Sequence, residues 1–435
     1  MPGIDVFVPP SPKRWMIATT SVINRVAMLR GVPRLRDLWP FSLIPGIRGI
    51  SDVRVIDLPE KDLLRLKSVC GQGKATFIAP NHPEFFTDWM IDKELLWRAA
   101  PMAASWATHG VVNGMGGLMQ RFWLANNLIA QIPGNTDAAR RYSVEWAAKG
   151  HGVLLHPEGA VGWHNDYVAP LLPGAVEMAA AALQLGAASQ ADFRAFVVPV
   201  VWKLVFLKDA EPGLQKEAGY VERSLGLASG NGKSSAERVF DIYDALILRE
   251  FRKYDLTTSR TASLRHRQAA LIEILSQMLA EALGPTSPRE SGVQDLLRAA
   301  RRWLRENRSA EKTQRAEVKE LADDLARLLR LGSSAFESKD ITQEQVAEHL
   351  KRLRNDYCVG SLRDSINRFL PRPVAPRRAI IRVAEPIEIT NFGPNTDEAL
   401  IELRNRLQFE LDAIKEDLRR EGAFRTQVNP FHRPD

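Results

Sequence analysis

The feature that most constrains the fold is a series of short apolar segments that alternate with helix-like segments. The apolar segments lie at residues 76–79, 128–132, 152–156 and 196–201, and each of the first three runs into a proline. Apolar strands that alternate with helices build sheets whose two faces are both covered by helices. The sequence therefore predicts an α/β fold with a mixed central sheet and helices on both faces. It also predicts that the polar loops after the strands share one edge of the sheet.

Beyond residue 217 the pattern changes to long charged helices and later returns to a strand and a helix. Residues 379–384 read as an apolar strand and residues 396–420 as an amphipathic helix. A helix-turn-helix over residues 342–369 is an alternative interpretation of part of the charged region. We predict four parts, which are an amphipathic or connecting region at 1–54, the core at 55–217, a large helical insertion at 218–371, and a C-terminal strand and helix at 372–435 that complete the core.

The first 54 residues combine apolar and basic side chains. Residues 14–29 place Trp15 and several arginines on a helical pattern, and the connector that follows adds Trp39 and Phe41. Such a helix can lie in the interface of a bilayer. A helix that packs on its own domain gives the same pattern, so both interpretations remain open at this point.

Composition and charge narrow the functional classes. The chain has 435 residues, a formal net charge of +7 and two cysteines, Cys70 and Cys358. A positive charge suits acidic partners such as lipid head groups, phosphorylated metabolites or nucleic acid. Two distant cysteines without ligand spacing indicate a reducing compartment and no metal site. We recognise no signal peptide and no apolar run long enough to cross a bilayer, so we expect a cytoplasmic protein that is peripheral to a membrane.

The most informative stretch is ATFIAPNHPEFFTD, at residues 75–88. A short apolar strand ends there at a proline, and Asn81, His82, Glu84 and Asp88 follow. An imidazole titrates near neutral pH, and a neighbouring carboxylate fixes its tautomer and stabilises its charged form. His82 is therefore a candidate general base with a carboxylate partner. The alternative is an ordinary surface histidine at the start of a helix.

Four motifs occur in order along the chain, namely NHPEFFTD, IPGNTDAARR, HPEGAVGW with PLLPGAVEMA, and VVPVV. In this order they resemble the glycerolipid acyltransferase superfamily, whose members include glycerol-3-phosphate and lysophosphatidic acid acyltransferases. The resemblance covers residues 77–202. It implies direct transfer of a fatty acyl group from acyl-CoA or acyl carrier protein to a hydroxyl. No covalent enzyme intermediate, metal or further cofactor is implied.

The resemblance also implies roles for individual residues. His82 would take the proton of the acceptor hydroxyl, and Asp88 would orient the imidazole. Glu158 would belong to an acceptor-binding turn, and Arg140 or Arg141 falls where the family places a basic residue for the acceptor's phosphate. The residues assigned to substrate binding are Asn81, Glu84, Arg140, Arg141, Glu158 and Gly159.

The chain departs from the family pattern in three places. Five residues rather than four separate His82 from Asp88, so either a local bulge restores this pair or Glu84 becomes the partner. The family's Phe-Pro-Glu-Gly-Thr-Arg becomes HPEGAV from His156 onward, which removes a hydroxyl and a basic group. His156 and His164 either replace those contacts or are ordinary structural histidines. The basic residue before the second helix is also displaced.

The resemblance thus implies an acyltransferase of the 1-acylglycerol-3-phosphate type, in phospholipid biosynthesis. Its expected partners are acyl-CoA or acyl carrier protein, a lysophospholipid-type acceptor and a membrane surface, and not nucleic acid. One alternative is a non-catalytic, lipid-binding relative in which the altered His–Asp spacing reflects lost chemistry. The other is an enzyme with the same chemistry and an acceptor that is not a glycerolipid.

Overall fold

A computed structural model describes residues 7–114, 116–132, 135–162, 164–259, 261–288, 292–361, 364, 371–390 and 396–432. The chain divides into two compact units, one formed by Met1–Ala210 with Ser365–Phe424 and the other by Glu211–Asp364 with Arg425–Asp435. These boundaries lie close to the expected ones at 217 and 371. The last residues differ from expectation, because a strand at Thr426–Val428 pairs with one at Asp340–Thr342 and so belongs to the second unit.

The first unit is built on one mixed sheet. The strands of the described chain are β1 (Val53–Asp57), β2 (Lys74–Pro80), β3 (Ala104–Thr108), β4 (Leu128–Gln131), β5 (Val153–Leu154), β6 (Arg194–Phe206), β7 (Asp340–Thr342), β8 (Arg377–Val383), β9 (Ile387–Ile389) and β10 (Thr426–Val428). The order in the eight-stranded sheet is β1-β8-β6-β2-β5-β3-β4, with β9 also paired to β6. Strands β2 to β6 are parallel to one another and β1 is parallel to β8, whereas β8 and β9 run antiparallel to β6. The predicted α/β class with a mixed sheet is confirmed.

Helices cover both faces of this sheet. Those of the first unit are α1 (Arg14–Ile23), α2 (Pro45–Arg48), α3 (Glu60–Val69), α4 (Thr87–Ala99), α5 (His109–Val112), α6 (Gly117–Ala125), α7 (Asp137–Ala148), α8 (Gly174–Ala187) and, after the second unit, α15 (Thr396–Arg420). Phe77 of β2 packs in a core with α8 and α15, and the next residue, Ile78, packs in a core with α3 and α4. Successive side chains of a strand point to opposite faces, so one strand serves two cores.

The late part of the chain contributes directly to the first unit. Strand β8 pairs along β6 from Val200 to Phe206. One stripe of α15 is fully buried, and it comprises Leu403, Leu407, Leu411, Ile414 and Leu418. These positions are three or four residues apart, which places them on one helical face.

Within the described residues, the regular structure of the second unit is helical apart from the antiparallel pair β7 and β10. Its helices are α9 (Glu211–Leu225), α10 (Ser235–Lys253), α11 (Leu264–Leu283), α12 (Val293–Glu306), α13 (Lys312–Leu329) and α14 (Gln343–Tyr357). Helix α10 begins with a capping box, in which Ser234 and Glu237 satisfy each other's backbone N–H groups. The second helix of the alternative helix-turn-helix falls largely on residues 362–363 and 365–370, outside the described residues.

The N-terminal region exposes much of its apolar surface. Helix α1 continues as a π-helical segment, Asn24–Arg30, and buries Ile17 and Leu29. The opposite side of this helical segment and the connector after it expose a set of apolar side chains, which we call the N-terminal apolar surface. It comprises Trp15, Val22, Ile23, Val26, Leu38, Trp39, Phe41, Leu43 and Ile44. Trp39 is 81% exposed and Leu43 is 70% exposed. Among the described residues we find no helix with the length and apolar character needed to cross a bilayer.

Candidate active site

The carboxyl ends of two neighbouring strands bring two histidines together. Strands β2 and β5 are parallel, with Ile78 opposite Leu154, and His82 and His156 follow them. The two imidazole rings stack with centroids 4.0 Å apart and 15° between their planes. Ligand sites of open α/β sheets lie outside the carboxyl ends of the strands. The histidine pair therefore marks the edge of the sheet where a site is expected.

Helix α4 supplies one carboxylate to each histidine. Asp88 and Asp92 are four residues apart, so they project from the same face of the helix, one turn apart. Asp88 Oδ2 contacts His82 Nδ1, and Asp92 Oδ2 lies 3.0 Å from His156 Nε2. Both carboxylates are buried. Two strand ends and one helix thus align two carboxylate–imidazole pairs side by side.

The turn before α4 absorbs the additional residue between His82 and Asp88. Phe86, the residue before the helix, has φ of 67°, a left-handed conformation that is uncommon outside glycine. Helix α4 then starts at Thr87, and Asp88 faces His82. Of the two candidate partners, the structure pairs His82 with Asp88. Glu84, the alternative, forms a buried ion pair with Arg377 of β8.

The surroundings of His82 favour its neutral form. Burial and the charge of His156 hold the pKa of His82 well below its usual value, against an opposing effect of Asp92. Because Nδ1 faces the Asp88 carboxylate, the remaining proton belongs on Nδ1 and the lone pair on Nε2. A neutral imidazole with this tautomer has the arrangement of a general base.

Asn81 has a structural position rather than the substrate-binding one that we expected. Its Nδ2 donates to the carbonyl oxygen of Trp202, and its Oδ1 accepts from the Trp202 N–H. The carbonyl oxygen of Asn81 accepts from His156 Nδ1. The side chain therefore extends the pairing of β2 with β6 beyond the end of the strand and fixes the loop that carries His82.

The turn after β5 also holds His82 in place. Glu158 Oε1 accepts from the backbone N–H of His82 at 2.7 Å, and Oε2 accepts from that of Ala169 at 2.9 Å. Gly159 has φ of 70°, a left-handed conformation that favours glycine, and a Cβ there would require the Leu172 side chain to shift. Glu158, which the resemblance places in the acceptor-binding turn, thus ties two loops of the site together.

A cleft of about 460 Å³ opens at the histidine pair. Its polar lining includes His82, Asp88, Asp92 and His156. Much of the remaining lining is aromatic or aliphatic and includes Phe85, Phe86, Trp89, Trp106, Val111, Trp123, Leu128, Leu154, Leu155, Leu172 and Met178. The volume lies within the range of about 300 to 1,000 Å³ that is typical of ligand pockets.

One ion pair lies on the wall of the cleft. Arg140 Nη2 donates to Glu177 Oε2 at 2.5 Å, and both side chains are more than a third exposed. Arg141, the neighbouring candidate, is exposed, and it is not among the described residues that line the cleft. The ring of His164 packs edge-on against Tyr167. Of the expected substrate-binding residues, Arg140 and Gly159 line the cleft.

The described residues contain one cluster with the composition of a metal site. His82, Asp88 and His156 each offer one atom, and these atoms lie within 4.8 Å of one another. Both ring nitrogens of His156 are already engaged, Nδ1 with the Asn81 carbonyl oxygen and Nε2 with Asp92. A cation would have to break one of these contacts, so the cluster fits protons better than a metal ion.

Comparison of the chain with models of protein families gives no match, and comparison with curated proteins gives none either. The function therefore has to be inferred from the site itself. Three of its features were not expected from the sequence. They are the Asp92–His156 pair, the pairing of Glu177 with Arg140, and the pairing of Glu84 with Arg377.

Proposed function

We propose that the chain is an acyltransferase that moves a fatty acyl group from a thioester to a hydroxyl. The donor would be acyl-CoA or acyl carrier protein, and the acceptor a lysophospholipid-type molecule. The observation that carries the proposal is the contact of His82 with Asp88 in the wall of a largely apolar cleft. Burial and the charge of His156 lower the pKa of His82, which favours the neutral imidazole that a base requires. The order of the four motifs in the sequence supports the same function.

The proposed reaction needs only two residues of this chain, His82 and Asp88. The acceptor O–H gives its proton to His82 Nε2 as the oxygen attacks the thioester carbonyl carbon. The new C–O bond forms, the C–S bond breaks, and the departing thiolate takes the proton back from the imidazolium. Asp88 stabilises the imidazolium in between, because its carboxylate contacts Nδ1. No nucleophilic serine or cysteine enters the scheme.

The apolar part of the cleft is suited to an acyl chain. Tryptophan, phenylalanine and aliphatic side chains line it, and they offer a fatty chain no hydrogen-bonding requirement. Burying one methylene group is worth about 0.8 kcal/mol, which corresponds to about a fourfold change in an equilibrium constant. A substrate with a short acyl group, such as acetyl, would forgo most of this free energy.

The first test is turnover of labelled acyl donors by the purified full chain. We expect transfer from long-chain acyl-CoA or acyl carrier protein to a lysolipid, with kcat/KM falling about fourfold for each methylene removed until the chain is short. Acetyl transfer as fast as long-chain transfer would contradict the assignment of the cleft. Absence of transfer from every donor, together with binding to lipid vesicles, would favour the non-catalytic alternative.

A membrane surface is the proposed place of action. The N-terminal apolar surface combines exposed tryptophans and leucines with exposed Lys13, Arg14 and Arg34, which suits the interface of an anionic bilayer. Sedimentation with anionic and with zwitterionic vesicles belongs in the same experiment. Equal failure to bind both would remove the membrane from the proposal while leaving the acyl transfer to be judged on turnover.

The Arg140–Glu177 pair gives a test of the acceptor. A phosphate that binds Arg140 competes with the Glu177 carboxylate, so Glu177→Gln should lower the KM for lysophosphatidic acid. An exposed ion pair contributes at most about 1 kcal/mol, so we expect a change of up to about fivefold. The KM for monoacylglycerol should stay the same.

Matched arginine variants complete the acceptor test. Arg140→Gln should raise the KM for lysophosphatidic acid, and the exposed Arg141→Gln should leave it unchanged. If phosphorylated and non-phosphorylated acceptors respond equally to Glu177→Gln, Arg140 does not bind phosphate. A non-phosphorylated acceptor would then be the better assignment.

A further inference from the structure

We propose that His156 and Asp92 form a buried ion pair whose imidazolium lies against His82 and keeps the His82 lone pair available for the proton of the acceptor. His156 is then a positioning residue that acts through His82. The inference deepens the proposed function and rests on it for its role in the reaction. The charge state of the pair can be measured without any reaction.

The hydrogen bonds of His156 indicate an imidazolium. Nδ1 lies 3.0 Å from the carbonyl oxygen of Asn81, which can only accept, so Nδ1 must carry a hydrogen. Nε2 lies 3.0 Å from Asp92 Oδ2, so a second proton lies between these two atoms. A ring that donates from both nitrogens, to a carbonyl and to a carboxylate, is best satisfied as a cation.

The electrostatic balance agrees with this geometry. Burial lowers the pKa of His156, but the charge and hydrogen bond of Asp92, the charge of Asp88 and the Asn81 carbonyl together raise the pKa to about 9. Burial raises the pKa of Asp92, and the charge and hydrogen bond of His156 oppose that effect. The two hydrogen bonds of the ring and the raised pKa of His156 together favour a proton on His156 at neutral pH. The pair as a whole is neutral, which limits the cost of burying it.

The effect on His82 depends on which charge is closer. The imidazolium ring stacks directly on His82, whereas Asp92 contacts the far nitrogen of His156. A cation at this distance disfavours a second proton on the neighbouring ring. The other charged groups that face the pair are Asp88 on α4 and Glu158 after β5.

The cation on His156 offsets one of two opposed effects that the charge of Asp88 has on His82. Asp88 is needed to stabilise the imidazolium of His82 during transfer, but its charge also favours protonation of His82 before the acceptor arrives. The cation on His156 opposes that resting protonation. The acid–base group then starts neutral at neutral and mildly acidic pH, and the proton on His82 is short-lived.

The sharpest test is Asp92→Asn. An asparagine can donate from Nδ2 to His156 Nε2, so the contacts remain while His156 becomes neutral. Carbon-13 labelling of the histidine rings, with His82→Gln to assign the signal, gives the titration midpoint of His82 in the full chain. We expect the midpoint to rise by about one pH unit in Asp92→Asn, because the His156 cation that stacks on His82 opposes its protonation more strongly than the more distant Asp92 carboxylate favours it.

Further variants keep the test decisive. His156→Phe removes the cation but retains an aromatic ring, and it should move the midpoint in the same direction. Asp92→Glu retains the carboxylate and should leave the midpoint low. Asp62→Asn alters another buried aspartate of the same unit, which binds Arg65 and the Val383 N–H, and should have no effect on His82. The same midpoint in wild type, Asp92→Asn and His156→Phe would overturn the inference.

Turnover supplies the second readout. The acid limb of kcat/KM should move to higher pH in Asp92→Asn by the same amount as the midpoint, so the loss of activity grows as the pH falls. If the midpoint moves but no acyl transfer is found with any donor, the ion pair stands and the proposed function fails. If transfer is found but the midpoint does not move, the proposed function stands and this inference fails.

Discussion

Replacement of His82 by alanine should reduce acyl transfer by about 10²- to 10⁴-fold, the usual contribution of a general base. No other imidazole can substitute for it, because both nitrogens of the adjacent His156 are engaged with Asn81 and Asp92. The measurement is single-turnover transfer from labelled long-chain acyl-CoA or acyl carrier protein.

Two further variants separate chemistry from folding. His82→Gln fills the same space and should be equally inactive, while circular dichroism and vesicle binding should match those of the wild type. His266→Ala removes an exposed histidine of the second unit and should retain full turnover. Transfer by His82→Ala at a rate near that of the wild type would remove His82 from the role of base.

Replacement of Asp88 by asparagine should have the second largest effect, a loss of about 10²- to 10⁴-fold in kcat. The amide has the shape of the carboxylate but no charge, so it cannot stabilise the imidazolium that forms on His82. It can also donate to Nδ1, which would favour the wrong tautomer. Rates of His82→Ala, Asp88→Asn and the double variant should be similar, because the two residues act as a unit.

Glu84→Gln is the matched comparison for Asp88→Asn. Glu84 lies only four residues earlier, but its carboxylate forms a buried pair with Arg377. Removing one partner of a buried pair costs about 3 to 5 kcal/mol of stability. We therefore expect a lower unfolding temperature for Glu84→Gln and a nearly unchanged rate for the folded fraction. A variant Glu84→Gln that folds normally and loses turnover would show that Asp88 is the wrong partner.

Much of the sheet was predictable because most of its central strands are apolar. Strand β6 is buried along nearly its whole length, and the apolar run AFVVPVV in its sequence predicts this burial. Strand β3 was not predicted, since its sequence ASWAT has no apolar run and only its first residue, Ala104, is fully buried. Strand length was predicted less well than strand position, because pairing with β8 extends β6 to Phe206, beyond the most apolar part.

The candidate site was predictable at His82 and ambiguous at its partner. The deciding detail is the positive φ of Phe86, a conformation that no local sequence preference for phenylalanine would indicate. Asn81 and Glu158 are among the substrate-binding residues expected from the sequence, Glu158 because the resemblance puts it in an acceptor-binding turn. The structure gives them backbone partners instead.

The second carboxylate–imidazole pair, Asp92 with His156, also has a signal in the sequence. Asp88 and Asp92 have helical spacing, and His82 and His156 each follow a short apolar strand that runs into a proline. Two such pairs of residues predict two adjacent contacts if the strands are neighbours and parallel. That last condition is a property of the tertiary fold, which the motif spacing does not specify.

The late position of β8 in the chain has a consequence for synthesis on the ribosome. Strand β6 ends at Phe206, but its antiparallel partner β8 begins only at Arg377. At a translation rate of about 5 to 20 residues per second, the nascent chain carries an apolar strand with one open edge for about 10 to 35 s. An unpaired apolar edge is a template for association with other chains. The order of elements in the chain therefore leaves one edge of β6 without its partner strand until the last part of the first unit has been synthesised.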